Sequence, residues 1–132
     1  MKLEDQVCTF EQARKFRYKL RLNLESFFVY EDGAISKDKP LYVRSQHTNH
    51  IKRVEGYGVR YLPAYTVAEL GVLLGKYQLV KFDNRWQICK RIVHPIIMLG
   101  VNRIDLPEAQ ARADALIWLI EEDFIKAEDL KL

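Results

Sequence analysis

The sequence has only two cysteines and no long apolar run, and both absences narrow the class of protein. Cys8 and Cys89 fit no recognisable spacing, so two reduced thiols in a bacterial-type cytosol are the simplest account. No apolar run approaches the roughly 20 residues that a membrane-spanning helix needs. The first residues include Glu4 and Asp5 instead of the basic start and apolar stretch of a signal peptide. We therefore expect a cytoplasmic protein that does not enter membranes.

Motifs for catalysis and for cofactor binding are also missing. None of Ser26, Ser36 and Ser45 lies in a Gly-x-Ser-x-Gly turn, and neither cysteine stands beside a histidine in a catalytic pattern. The Gly-Tyr-Gly segment at residues 56–58 lacks the third glycine, the lysine and the following helix of a phosphate loop. We therefore predict no catalytic residue, no cofactor and no enzymatic activity.

Histidine is scarce too, and two of the three histidines, His47 and His50, form a pair at i and i+3. Such a pair can ligate zinc on a helix, but a complete site needs three or four ligands. No further ligand stands nearby in the sequence, so Cys8, Cys89 or His94 would have to complete the set through folding. We predict no metal site. The alternative that stays open is an enzyme in which His50, His94 and Cys89 converge.

What the sequence does contain is the composition of one globular domain, residues 1–132, with 48% apolar and 30% charged residues. Its net charge of +3 is unevenly distributed. Residues 1–61 carry 12 basic and 8 acidic side chains, residues 76–103 carry 6 and 1, and residues 104–132 carry 3 and 8. A basic body with an acidic end is compatible with polyanion binding and with the stacking of copies.

Caps and apolar periodicity predict three helices, and the first two cover residues 9–22 and 66–74. Each of these two begins with the side-chain pattern of a capping box. The pairs are Thr9 with Gln12 and Thr66 with Glu69. Gly75 is well placed to end the second helix in the left-handed conformation.

The third predicted helix, residues 105–124, carries the strongest pattern in the chain. Asp105 is the expected N-cap and Glu108 follows three residues later, with Pro107 in the first turn. The apolar stripe of this helix consists of Ala109, Ala113, Leu116, Ile117, Ile120 and Phe124. This spacing indicates a helix that lies on a core.

The remaining segments alternate in the way that strands do. The candidate strands are residues 26–30, 41–44, 51–54, 59–62, 77–82, 86–93 and 96–99. Residues 51–54 and 59–62 are predicted to form one hairpin, and residues 77–82 and 86–93 a second. The order of the elements favours an α+β fold, with an antiparallel sheet of about 4–6 strands and about three helices packed mainly on one face.

Four blocks of the sequence stand out together: residues 3–13, 63–71, 86–89 and 109–121. In this order they resemble a family of small uncharacterised proteins that phages, prophages and mobile elements of Bacteroides-type bacteria encode. They consist mostly of capping and core residues. The resemblance implies a bacterial or phage cytosolic setting, and it transfers no catalytic residue to this chain.

A basic and aromatic stretch gives one functional lead. Its members are Arg44, His47, His50, Lys52, Arg53, Tyr57 and Arg60, with Tyr61 beside them. Proteins that bind single-stranded nucleic acids use cations for the phosphates and rings for the bases. The alternative is a solvated β-ribbon whose tyrosines cover the edge of the core.

The last helix gives the other lead. Trp118 lies partly away from the main apolar stripe, and Glu121 and Glu122 stand at the C-terminal end, where acids oppose the helix dipole. A helix that is apolar on more than one face is buried between layers or packed on a partner. We therefore predict a non-enzymatic accessory or protein-interaction protein of mobile-element origin, which binds a partner or itself through Trp118, Glu121 and Glu122. The alternative is weak nucleic-acid binding through residues 44–61.

Overall fold

The computed structural model of the protein describes residues 2–33, 40–43, 60–82, 85–91, 96–98, 103–104 and 106–132. Within these residues the fold is α+β, as predicted, with three α-helices. The single predicted sheet is wrong, because the described strands form two separate antiparallel sheets. No helix of the described residues has the length and apolarity to cross a membrane.

The first helix, α1, spans Phe10–Arg14 and continues into a π-helical turn, Lys15–Lys19. The predicted capping box is confirmed, because Thr9 Oγ1 accepts from the Gln12 amide and Gln12 Oε1 accepts from the Thr9 amide. The helical segment ends earlier than the predicted residue 22. Arg21 adopts a positive φ of 55°, which stops helical hydrogen bonding.

The second helix, α2, spans Val67–Leu74 and agrees with the prediction. Its capping box is confirmed, because Thr66 Oγ1 accepts from the Glu69 amide and Glu69 Oε1 accepts from the Thr66 amide. Gly75 follows the helix with φ 59° and ψ −116°, so its φ is positive, but its ψ lies outside the predicted left-handed helical conformation. Residues with a side chain adopt this conformation only at a cost in free energy.

The third helix, α3, spans Glu108–Glu121, so both of its predicted ends are wrong. Its N-cap is the extended residue Pro107, with φ −54° and ψ 145°, and no side chain caps it. Asp105 lies outside the described residues. At the other end the positive φ of Asp123, 62°, terminates the helix. Phe124 therefore lies beyond the helix and is 46% exposed.

The first sheet has the strand order β2-β1-β3, with β1 Phe28–Asp32, β2 Leu41–Val43 and β3 Arg60–Pro63. The described partner of β3 is β1, and the predicted hairpin partner of β3, residues 51–54, lies outside the described residues. β1 begins two residues later than predicted. The preceding Ser26 is engaged elsewhere, since its Oγ lies 3.0 Å from Ala64 O and 2.7 Å from Glu69 Oε1.

The second sheet confirms the other predicted hairpin. β4, Tyr77–Phe82, pairs with β5, Arg85–Arg91, and β5 also pairs with β6, Ile96–Met98, and with β7, Arg103–Ile104. One hydrophobic cluster joins α1, α2 and α3 to both sheets. Its fully buried members include Phe16, Leu22, Leu62, Tyr65, Leu70, Leu116 and Leu119. Burial of such side chains is the main favourable term in folding.

Candidate functional site

Of the predicted nucleic-acid stretch, only Arg60 and the adjoining Tyr61 are among the described residues. Arg44, His47, His50, Lys52, Arg53 and Tyr57 lie outside the described residues. Arg60 is exposed at the start of β3, where it is the register partner of Asp32 on β1. Tyr61 is buried beside Val29, so its ring is not available for stacking on a base.

The predicted partner residue Trp118 belongs to an aromatic contact at the end of α3. It is half-buried, and its ring stacks on that of Phe124 with a centroid distance of 5.5 Å and an interplanar angle of 21°. Phe124 also meets Tyr77 of β4 edge to face, at 6.4 Å. Such a stack is favourable beyond the area that it buries. Phe124 connects Trp118 to the second sheet and keeps one side open to solvent.

A Schellman motif explains why Phe124 reaches Trp118. The amide of Phe124 donates to Leu119 O at 2.9 Å, and the amide of Asp123 donates to Ile120 O at 3.2 Å. These are the two reversed hydrogen bonds of the motif, with Asp123 in the left-handed position. An apolar contact between the residue after the turn and the last helical turns commonly accompanies this motif. The sequence prediction missed Phe124 as a site residue because it extended the helical stripe through it.

The two predicted acids at the end of α3 differ in their surroundings. Glu121 pairs with α1, since Oε1 lies 3.1 Å from Lys15 Nζ and Oε2 lies 3.9 Å from Lys19 Nζ. Glu122 is the exposed C-cap residue of α3. Neither Glu122 nor Asp123 forms an ion pair within the described part of the chain. At the end of α3, therefore, Glu121 forms ion pairs within the protein, whereas Glu122 and Asp123 face solvent.

A groove of about 200 Å³ lies between α1 and α3 and ends at Trp118. It is lined by Glu11, Gln12, Lys15, Asp114, Ile117, Trp118 and Glu121. Three of these side chains are carboxylates and one is an ammonium group, so the lining carries an excess of negative charge. We call it the α1–α3 groove. Trp118 and Asp114 also line a narrow apolar crevice between α3 and the β4–β5 hairpin.

The sequence contains recognisable signals for some of the residues that line the groove, but not for all of them. Gln12 was identified as a capping residue, but its amide also crosses to α3, where Nε2 donates to Gln110 O at 2.9 Å and to Asp114 Oδ1 at 2.8 Å. Glu11 is the neighbouring exposed residue of the same helical turn. Such long-range neighbours have no local signature in the sequence. Of the residues that line the groove, only Trp118 and Glu121 were predicted as site residues.

Both cysteine thiols lie in places that disfavour the reactive thiolate. Cys8 is fully buried, and burial raises its pKa to about 12. Burial also raises the pKa of Cys89, on β5. A protonated thiol is a weak nucleophile and a poor metal ligand. Among the described residues, no three His, Cys, Asp or Glu side chains are arranged to hold a metal ion, and all three histidines lie outside them.

No protein-family model, no curated protein and no solved structure matches this chain. The resemblance to phage and mobile-element proteins therefore stays a prediction. The geometry of the described residues is the basis for a functional proposal.

Proposed function

We propose that this protein is a non-enzymatic binding protein whose α1–α3 groove takes a cationic side chain of another protein. The observation that carries this proposal is the excess of carboxylates in the groove, three against one ammonium group. Lys15 pairs with Glu121 at 3.1 Å, and an entering lysine or arginine is attracted by the net negative charge of the lining as a whole. Opposite charges across an interface favour encounter and fix the register of the partners.

The aromatic end of the groove supports the same kind of ligand. A cation that enters the groove approaches the ring of Trp118, and a cation over such a ring is attracted by its quadrupole. Beside it, the open side of Phe124 offers apolar area of the type that anchors interfaces. Glu122 and Asp123, both exposed, directly follow Glu121 of the lining and add negative charge to this part of the chain. We therefore propose a partner segment in which a lysine or arginine stands beside an apolar residue.

We place this activity in the cytosol of a bacterial host cell, where the partner is a host or mobile-element protein. The support for this setting is the resemblance of residues 3–13, 63–71, 86–89 and 109–121 to phage and mobile-element proteins. The raised pKa of both thiols supports a binding role over nucleophilic catalysis by either cysteine.

Two labelled peptides of equal length test the proposal, one of alternating lysine and leucine and one of alternating glutamate and leucine. Fluorescence anisotropy measures their affinity for the full chain. We expect binding of the lysine peptide only. The double variant Glu11→Lys/Glu122→Lys is expected to weaken this binding about tenfold, because each reversed charge changes an attraction into a repulsion. Phe124→Ser is expected to weaken it about fivefold or more through lost apolar contact.

Matched controls separate the groove from net charge and from general apolarity. Glu25→Lys/Glu128→Lys makes the same change in charge at exposed acids that neither line the groove nor adjoin a lining residue in the sequence, and Val72→Ser removes a side chain on α2 that is 64% exposed. Neither control is expected to alter the affinity by more than about twofold. Equal effects of the groove and control variants, or equal binding of both peptides, would refute the proposal. A mass above the monomer that Glu11→Lys/Glu122→Lys abolishes would identify a second copy as the occupant instead.

A further inference from the structure

A second charged and aromatic surface lies where α1 and its π-helical turn meet the first sheet. The ring of Tyr18 is 39% exposed, and the guanidinium carbons of Arg14 and Arg60 each lie 5.9 Å from its centroid. The hydroxyl of Tyr18 donates to Asp32 Oδ2 at 3.3 Å, and Nε of Arg14 lies 3.9 Å from the same oxygen. We call Arg14, Tyr18, Asp32 and Arg60 the Tyr18 cluster.

The sheet register and the helix together position this cluster. Asp32 at the end of β1 is the antiparallel partner of Arg60 at the start of β3, so the two side chains leave neighbouring strands at the same level. Arg14 and Tyr18 stand at i and i+4 on the helical segment and therefore share one face. Asp32 contacts both, so the acid holds Tyr18 and Arg14 in one arrangement.

The surrounding chain is strongly basic. Residues 10–24 contain five basic side chains and one acid. Lys15 and Lys19 pair with Glu121 on α3, and Arg17 donates to the side chain of Asn23. Arg14 keeps 52% of its side chain exposed, and Arg21 and Arg60 are exposed as well. The guanidinium groups of Arg14 and Arg60 therefore lie beside one partly exposed ring, and Arg21 follows that ring three residues later in the chain.

The backbone conformation of Arg21 costs free energy that a glycine at this position would avoid. Its φ of 55° lies in the left-handed region, where helices usually end with glycine. It directly follows a π-helical turn in which the amide of Leu20 donates to Lys15 O at 2.9 Å. Such turns occur frequently at functional sites. The chain places a cation at this position instead of the residue that would fit it best.

We infer that the Tyr18 cluster, with Arg21, is a binding surface for single-stranded nucleic acid. Guanidinium groups bind phosphate oxygens in a bidentate way, and both their planes and the tyrosine ring can stack on unpaired bases. A polyanion without bases would use the charges alone. The surface differs from the predicted stretch at residues 44–61, with which it shares Arg60. It is also independent of the α1–α3 groove and of the partner proposed for it.

Asp32 is the one acid of the cluster, and it determines how the affinity responds to mutation. A phosphate that approaches Arg14 competes with Asp32 for the same guanidinium group. Asp32→Asn keeps an oxygen that can accept from Tyr18 and removes the repulsion of the phosphate. We expect this variant to bind nucleic acid about two- to fivefold more tightly than the unmodified chain.

The test is the anisotropy of a labelled oligo-dT of about 12 nucleotides. At low salt we expect binding that weakens with a slope of about −2 in a plot of log affinity against log salt, as for about three phosphate contacts. Arg14→Ala/Arg60→Ala is expected to weaken binding about tenfold and Tyr18→Ala about fivefold. Arg14→Lys/Arg60→Lys keeps the charge and loses the planar groups, so we expect it to weaken binding at least threefold. Circular dichroism checks that each variant is folded.

A charge-matched control, Lys126→Ala/Lys131→Ala, removes two exposed cations of the C-terminal segment and is expected to change the affinity less than twofold. Inorganic polyphosphate is expected to compete more weakly than unlabelled oligo-dT. The inference is overturned by an absence of binding at low salt. It is also overturned by an arginine-to-lysine variant that binds as the unmodified chain does, or by equal competition from polyphosphate, since each shows that stacking plays no part. This test does not use the variant Glu11→Lys/Glu122→Lys. Its result therefore does not depend on whether the proposal for the α1–α3 groove is correct.

Discussion

Gln12 and Asp114 join the two ends of the chain, because Nε2 of Gln12 donates to Asp114 Oδ1 at 2.8 Å across 102 residues of sequence. The same amide donates to Gln110 O at 2.9 Å, while its Oε1 accepts from the Thr9 amide at 2.9 Å. One side chain thus caps α1 and binds α3. It also lines the α1–α3 groove, so the geometry of the groove depends on it.

The first prediction concerns this side chain. Gln12→Glu keeps the oxygen that caps α1, but it removes both donors to α3 and places a second carboxylate against Asp114. We expect a loss of about 2 kcal/mol in the free energy of unfolding, measured with urea at neutral pH. Adding Asp114→Asn supplies a donor to the new carboxylate and is expected to restore about half of the loss. A double variant no more stable than Gln12→Glu alone would show that the contact between Gln12 and Asp114 contributes nothing.

The second prediction concerns Gly71, which lies in the interior of α2. A Cβ at this position would overlap Nη1 of Arg112, and this nitrogen donates to Val67 O at 3.1 Å. Arg112 is also held by Glu108, at 2.8 Å from Nη2 and 3.2 Å from Nε. Gly71 therefore lets a guanidinium group of α3 pack directly on the backbone of α2.

Gly71→Ala displaces that guanidinium group and is expected to lower the free energy of unfolding by about 1 kcal/mol, because the lost hydrogen bonds exceed the gain in helix propensity. In an Arg112→Ala background the same substitution meets no guanidinium group. It is then expected to stabilise the protein by about 0.5–1 kcal/mol. Urea unfolding of the four proteins measures both effects. The same sign in both backgrounds would contradict the role assigned to Arg112.

The sequence predicted local structure better than it predicted contacts between elements. Both capping boxes were correct, because the two side chains of a capping box stand at fixed spacing on one helix. What Glu69 does beyond its helix was not predicted, although its Oε1 lies 2.7 Å from Ser26 Oγ and its Oε2 accepts from the Phe27 amide at 3.3 Å. No periodicity in the sequence encodes a partner more than 40 residues away.

In the candidate site, too, the sequence predicted local structure better than contacts between elements. Trp118 was identified because its position on a second helical face follows from 3.6 residues per turn. Phe124 was wrongly included in the stripe, because an aspartate at the left-handed position carries no sequence signal as strong as glycine. The division into two sheets was missed as well, since alternation predicts a strand but not its neighbour. The excess of carboxylates in the α1–α3 groove depends on how two helices pack against each other. No pattern in the sequence predicts that packing.

The third prediction concerns Asp123, which holds the left-handed position after α3 and adds an acid at the negative end of the helix dipole. Asp123→Gly relieves both costs and is expected to raise the free energy of unfolding by about 1 kcal/mol at low salt. Asp123→Asn relieves only the charge and is expected to give about half of that gain. Urea unfolding at low and high salt separates the two parts, because only the gain from the charge is screened. A destabilised glycine variant would mean that Asp123 contributes more to the helix end than it costs.

The fourth prediction is a loss of stability in alkali that depends on Cys8. Burial raises the pKa of this thiol from its ordinary value of 9.0 to about 12, against a smaller opposing effect of the hydrogen bond with Tyr65. Above pH 9 the unfolded chain releases the proton while the folded chain retains it. The contribution of the thiol is therefore fully present below about pH 9. It is lost as the pH rises towards about 12, at no more than about 1.4 kcal/mol per pH unit.

Cys8→Ala isolates this contribution. The variant is expected to be less stable than the unmodified chain at neutral pH, by about 1–2 kcal/mol of lost packing. The difference is expected to shrink between pH 9 and pH 11, because only the unmodified chain has this thiol to ionise. Burial also raises the pKa of Tyr30 and Tyr65; both proteins retain these tyrosines, and the charge of the Cys8 thiolate raises their pKa further only in the unmodified chain. Urea unfolding with a reducing agent at each pH measures this difference in the free energy of unfolding. A constant difference across this range would show that water reaches the Cys8 thiol in the folded state.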